Sequence, residues 1–178
     1  MSNNVEELKD ILENIEIQIQ KCKMILDGEV PLVKDSEVDY SKKAARVGKA
    51  VEPETAGRII EGVFDGQKMI GPDGKQYSVP ANYISKSKLV EGDILKLTID
   101  DAGNFVYKQI GPVERARLVG RLIKDAEGEF IVMAENQAFK VILASVTYFK
   151  GNEGDEAVIL VPKGVESQWA AIENVIKK

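Results

Sequence analysis

Residues able to do chemistry are sparse in this chain, and those present are mostly charges without a companion. Histidine is absent and cysteine occurs once, as Cys22. That excludes Ser-His-Asp and Cys-His nucleophilic pairs, histidine-based zinc sites, an intrachain disulfide and any multi-cysteine metal cage. Asp93, Asp100 and Asp101 are the acidic residues that come nearest to a cation site. Adjacent residues of a strand point to opposite faces, however, so Asp100 and Asp101 do not converge on one ion. The stretch Gly71-Pro72-Asp73-Gly74-Lys75 lacks the Gly-x4-Gly-Lys-Ser/Thr spacing of a phosphate loop and reads as a turn. No catalytic, cofactor-binding or metal-binding residue is assigned, no cofactor is expected, and the chain reads as something other than an enzyme.

Two groups of cations do suit binding. Lys86 and Lys88 stand beside Tyr83, and Arg115, Arg117 and Arg121 gather further on. Small β-barrels hold single-stranded nucleic acid in cationic grooves with stacking rings, so these six residues form a possible nucleic-acid contact. The other reading is a solvated charged surface. The net charge of −5 argues against indiscriminate coating of nucleic acid but leaves room for one basic face. Lys42, Lys43, Arg46 and Lys49 beside Tyr40 read as part of a solvated linker. Phe130, Phe139 and Phe149 read as core.

The elements that would carry these residues follow from periodicity. Val5, Leu8, Leu12, Ile15, Ile19, Cys22 and Leu26 alternate spacings of three and four, a heptad seam along one side of a helix. Such a helix is roughly 33 Å long at about 1.5 Å per residue. Three heptads are marginal alone, so the seam is expected to make a homo-oligomer. Residues 28–57, with Pro31, Pro53 and charges of both signs, show no sustained period and read as a flexible linker, with a short helix possible over 40–51.

From Arg58 the pattern turns to period two. The stretch LVEGDILKLTI at 89–99 is answered 62 residues later by GNEGDEAVILV at 151–161, with Glu-Gly-Asp in register. The same spacing aligns Asp65-Gly66 with Glu127-Gly128, Met69-Ile70 with Ile131-Val132, and Tyr77 with Phe139. A duplicated β module of about 60 residues is the reading. The first copy shows strands over 58–64, 68–71, 75–79, 94–99 and 105–110, with a loop or helical turn before the fourth. The second is read over 118–123, 129–134, 138–144 and 157–161. Leu95, Leu97 and Ile99 match Ala157, Ile159 and Val161 as the inward face. Val165, Trp169, Ile172 and Ile176 have helical spacing and predict a terminal amphipathic helix.

In layout, the heptads followed by two strand–turn–strand–loop–GD-strand patterns resemble the N-terminal region of proteasomal ATPases, where a coiled coil precedes oligonucleotide-binding-type barrels. No Walker sequence accompanies them, so the resemblance implies no motor activity. Residues 77–110, YSVPANYISKSKLVEGDILKLTIDDAGNFVYKQI, also resemble the swapped-hairpin barrels of AbrB-type transcription regulators, which bind DNA as dimers through basic residues before the Val-Pro. Here Lys68 and Lys75 occupy that place and arginine is absent between them. The helix–hinge–globule plan is similar to that of the ribosomal stalk protein, without residues that match its globular domain.

The expected fold is mainly β: two tandem small β-barrels, OB-like or related, with an N-terminal coiled-coil helix and a C-terminal amphipathic helix. The boundaries are 1–27 for the coiled coil, 28–57 for the linker, 58–112 for the first barrel and 113–178 for the second barrel with its helix. No apolar run reaches the roughly 20 residues that span a membrane. The start MSNNVEELKD lacks the pattern of a signal peptide, which points to the cytoplasm. The expected function is a non-enzymatic oligomeric scaffold that displays its barrels to a protein partner. The alternative is a transcription- or translation-related factor that binds nucleic acid through barrel loops.

Overall fold

The structure, a computed structural model, describes Ile19 and residues 39–47, 50–51 and 57–177. The chain divides into two units, Met1–Asp35 and Ser36–Lys178. In the first, Ile19 is helical with a side chain 50 % exposed. The other seam positions, Val5, Leu8, Leu12, Ile15, Cys22 and Leu26, lie outside the described residues.

The second unit begins with helix α1 (Tyr40–Val47) and the two-residue strand β1 (Ala50–Val51). Two modules of one plan follow. The first runs β2 (Arg58–Phe64), β3 (Lys68–Ile70), β4 (Gln76–Ser78), α2 (Ala81–Ser87), β5 (Ile94–Ile99) and β6 (Phe105–Gly111). The second runs β7 (Arg115–Lys124), β8 (Phe130–Ala134), β9 (Gln137–Lys140), α3 (Leu143–Tyr148), β10 (Glu156–Pro162) and β11 (Ala171–Ile176). Each makes an antiparallel sheet, β4-β3-β2-β5-β6 and β9-β8-β7-β10-β11, so every strand has the same neighbours as its counterpart; β1 is an extra partner of β2. Neither sheet closes into a barrel. In the second module one parallel bridge, Lys140 to Trp169, ties edge strand β9 to the residues entering β11.

Duplication reaches down to single hydrogen bonds. Each helix is followed by a lysine in the left-handed region, Lys88 (φ 49°) and Lys150 (φ 53°). The next N–H returns to the helix, Leu89 to the Ile84 carbonyl at 3.2 Å and Gly151 to the Val146 carbonyl at 2.9 Å. Then come Gly92 and Gly154 at φ 90° and 96°, a backbone state that glycine enters without strain. Their N–H groups donate to the Phe64 and Leu122 carbonyls, both at 2.8 Å, and the Phe64 and Leu122 N–H groups donate to the Asp93 and Asp155 carbonyls at 2.8 and 2.9 Å. The helix-to-strand turn is thereby locked to the end of β2 or β7.

Each module has its own aliphatic core. In the first, Ile60, Phe64, Met69, Leu95 and Leu97 are buried; in the second, Leu122, Val132, Phe139, Ala157 and Ile159. Side chains of this size contribute about 1.5–3 kcal/mol each when fully buried. The alternation along β5 and β10 is therefore as expected, with Leu95, Leu97, Ala157 and Ile159 all at 0 % exposure. Helices α2 and α3 pack on each other, and Ile142, just before α3, reaches the first core. Val90 and Val113 of the junction meet Leu160 and Ala171 of the second sheet.

Several expectations need correction. The C-terminal amphipathic helix is a strand: residues 171–176 form β11, paired with β10. Its register shifts between Val158 and Ile159, so that Val158 faces Asn174 and Ile159 faces Ile172. The extra residue puts Ile172 and Val175 against the same core, and this bulge imitates helical spacing. The strand read over 138–144 is shorter, because α3 begins at Leu143. The constant spacing of the copies holds from Tyr77 to β5 and fails before it. Register matches Phe64 to Leu122 and Met69 to Val132, since the β7–β8 hairpin is the longer one. Within the stretch read as a flexible linker, α1 is packed on the first sheet, with Ala44 buried against Val63 and Ile70. Among the described residues no helix is long and apolar enough to cross a membrane.

Close strand crossings in both sheets rest on matching glycines. A Cβ on Gly62 would lie 2.3 Å from the Ile70 carbonyl oxygen, and one on Gly120 would lie 2.3 Å from that of Met133. Gly62→Ala and Gly120→Ala are each expected to destabilise by about 1–3 kcal/mol, because backbone must shift to admit the methyl group. Urea unfolding measures this, and a wild-type midpoint in either variant would contradict the crossing described.

Candidate functional site

Polar atoms that belong to no sheet ladder gather most densely at one turn, Val90-Glu91-Gly92-Asp93, between α2 and β5. Glu91 is 3 % exposed and Asp93 is 0 % exposed. A charged carboxylate leaves water at a cost of several kcal/mol unless donors surround it, and both have them. Asp93 Oδ2 accepts from the Val90 N–H at 2.9 Å, Gln109 Nε2 at 2.8 Å and the Arg115 guanidinium at 2.7 Å; Oδ1 accepts from the Val113 N–H at 2.9 Å. Arg115 also donates to the Val113 carbonyl at 2.8 Å. One carboxylate thus ties the α2–β5 turn to the end of β6, the intermodule connection and the start of β7.

Glu91 reaches in two other directions. Its Oε1 accepts from the N–H groups of Gln168 at 2.8 Å and Trp169 at 2.6 Å, both in the second module. Its Oε2 accepts from the Tyr40 hydroxyl on α1. Lys43 of α1 adds a bond to the Gly92 carbonyl at 3.3 Å. The Trp169 ring lies over Gly66, where a Cβ would come within 2.3 Å of Cδ1, so the β2–β3 turn admits the indole only because glycine stands there.

Burial pushes both carboxyl groups above the usual carboxylate range. Hydrogen bonds from Tyr40, Trp169 and Gln168 work against that at Glu91, as do those from Val90, Val113 and Gln109, together with the Arg115 charge, at Asp93. Burial and the neighbouring Glu91 likewise push the Tyr40 phenol well above its ordinary value. With their oxygens engaged by these donors, the two carboxylates tie α1, the first module and the second module together. Among the described residues no group of three His, Cys, Asp or Glu side chains could hold a metal ion.

The six residues singled out for nucleic-acid contact are placed as follows. Tyr83 is half-buried against the first core, its ring 6.2 Å from that of Tyr107 and its hydroxyl accepting from the Gln109 N–H at 2.9 Å. Lys86 is exposed on α2, and Lys88 follows it in the left-handed position. Arg115 is committed to Asp93. Arg117 grips Glu173 with two bonds, at 2.5 and 2.7 Å, on the exposed face of β7. Arg121 is half-buried on β7 opposite Glu156. Arg117, first by hydrogen bonding, and Lys88, by charge, hold the Glu173 carboxyl below its usual range. Lys88 and Arg117 therefore share one acid, Glu173, whereas Arg115 is taken by another, Asp93.

No motif in the sequence marks Tyr40, Glu91, Gln109 or Trp169 as site residues, and Asp93 is weighed there only as a cation ligand. A signal existed in the contrast between copies: Leu89-Val90 precedes the first Glu-Gly-Asp, whereas Gly151-Asn152 holds that place in the second. Asp155 repeats the local bond, from the Asn152 N–H at 2.8 Å, while Glu153 is exposed. No protein-family model matches the chain, and no curated protein matches it in sequence.

The two arginine pairs differ in a way that experiment can read. Arg115→Ala leaves Asp93 buried without its cation and is expected to cost about 3–5 kcal/mol near neutral pH. Asp93 has a raised folded pKa, so the folded state takes up its proton first as pH falls. The loss in Arg115→Ala should therefore shrink between neutral pH and the ordinary carboxylate range. Arg117→Ala, which opens an exposed pair, should move the unfolding midpoint far less at any pH. Denaturant titrations at several pH values check both, and a loss in Arg115→Ala that grows on acidification contradicts the assignment.

Proposed function

We propose that the protein is a non-enzymatic, oligomeric scaffold in which the N-terminal heptads gather copies and the paired β modules are offered to a protein partner. The observation that carries this reading is edge strand β6. Its outer side has no neighbouring strand among the described residues, and it exposes Phe105, Val106 and Ile110 at 48 %, 58 % and 41 %. An unpaired strand with exposed apolar side chains can take up an extended segment of another protein, main-chain bonds giving affinity and alternate side chains giving selectivity. Leu143 and Tyr148 on α3, 54 % and 68 % exposed, extend the apolar surface available for contact. The dense bonding of Glu91 and Asp93 supports the same reading, since a scaffold needs its two modules held in one arrangement.

Nucleic-acid binding is the competing reading. It is weakened by the commitments of Arg115 to Asp93, Arg117 to Glu173 and Tyr83 to the first core, which leave Lys86, Lys88 and Arg121 as its remaining contacts. A photo-crosslinking residue at position 106, introduced in the native cell, is expected to trap protein; adducts with nucleic acid alone would reverse the order of the two readings. Removing residues 1–27 is expected to leave a folded monomer by sedimentation velocity. A truncated chain that still assembles as the full chain does would refute the role given to the heptads.

A further inference from the structure

Glu91 divides its two oxygens between two separate elements, helix α1 and the second module. Oε1 holds the second module through the Gln168 and Trp169 N–H groups, and Oε2 holds α1 through the Tyr40 hydroxyl. We propose that Glu91 is a two-sided clasp that couples attachment of helix α1 to closure of the joint between the modules, so that loosening one loosens the other.

The coupling follows from what a buried carboxylate needs. Without the Tyr40 donor, Oε2 would stay buried and unpaired, a state that costs more than the bond itself contributes. Turning Glu91 outward to water relieves that cost. Both oxygens belong to one rigid carboxylate, so the same movement withdraws Oε1 from Gln168 and Trp169. Conversely, a joint that opens at residues 168–169 frees Glu91 to leave Tyr40, since such coupling is reciprocal.

Neighbouring contacts make the effect local. Ala44 packs on Val63 and Ile70, and Lys43 reaches the Gly92 carbonyl, so α1 keeps other anchors. Residues 168 and 170 are bonded to Lys140 of β9 at 2.8 and 2.9 Å, which keeps that segment on its own sheet when it leaves Glu91. Tyr40 lies at the edge of the small Ala44–Val63–Ile70 cluster, and neither it nor Glu91 belongs to either module's main core. The second Glu-Gly-Asp turn has no such clasp, because Glu153 is exposed and β6 leads almost directly into β7, with no helix before it.

Tyr40→Phe in the full chain removes one hydroxyl and little else. Hydrogen exchange followed residue by residue is expected to quicken at the Gln168 and Trp169 amides by about five- to tenfold, at the lower end of measured site-to-site couplings. The Ile159 amide, deep in the second core, serves as the control and should keep its rate. Trp169 is the chain's single tryptophan, so its emission should shift to the red in the same variant. Unchanged exchange at 168 and 169, with quickening confined to α1, would overturn the coupling. Equal quickening at 168, 169 and 159 would overturn it too, because the hydroxyl would then act on global stability alone.

Discussion

Two carboxylates buried on one four-residue turn are the constraint that the arrangement of the two modules answers to. Apolar burial drives each module to fold but is non-directional, and two aliphatic cores can be set side by side in many ways. A buried carboxylate is directional, because it is tolerated only where donors converge on it. Asp93 draws donors from Val90, Gln109, Val113 and Arg115, and Glu91 from Tyr40, Gln168 and Trp169. Few placements of β6, β7 and the segment before β11 satisfy that set. The cores supply the driving force, and the polar turn selects the arrangement.

The duplicated turn shows how one backbone can serve two ends. Gly92 and Gly154 share a left-handed conformation, and Asp93 and Asp155 each cap an N–H three residues back. These features make the local turn in either copy. What differs is the surroundings. Val90 is buried where Asn152 is exposed, and Glu91 is enclosed where Glu153 faces solvent. Conserving the turn while changing its neighbours let one copy become a joint and the other remain a surface loop.

The parts legible in the sequence were those governed by short-range rules. Period-two alternation, the Gly-containing turns and the repeated Glu-Gly-Asp located β2–β6 with their helix, and paired the inward residues of β5 and β10. Three things were not legible. The bulge in β11 gave a strand the spacing of a helix, so Ile172 and Val175 misled. The longer β7–β8 hairpin broke the constant spacing between copies, although the strand order on both sides of it agrees. The partners of the hub lie far apart in the chain: Glu91 meets Tyr40 on one side and Trp169 on the other, and nothing in a run of sequence distinguishes such a glutamate from a solvated one. The arginines at 115, 117 and 121 did lie on one strand face, but two of them were already claimed by remote acids, Asp93 and Glu173.

Tyr83 has a consequence for self-recognition. Its hydroxyl takes the Gln109 N–H, a group on the outermost strand of the first sheet. A free row of such groups is a template on which identical chains stack without limit. By occupying one rung, and with Lys108 exposed beside it, the phenol shortens the run open to a copy of the same strand while leaving the end near Phe105 accessible. A shorter open edge leaves fewer main-chain groups on which strand-to-strand stacking between copies can build.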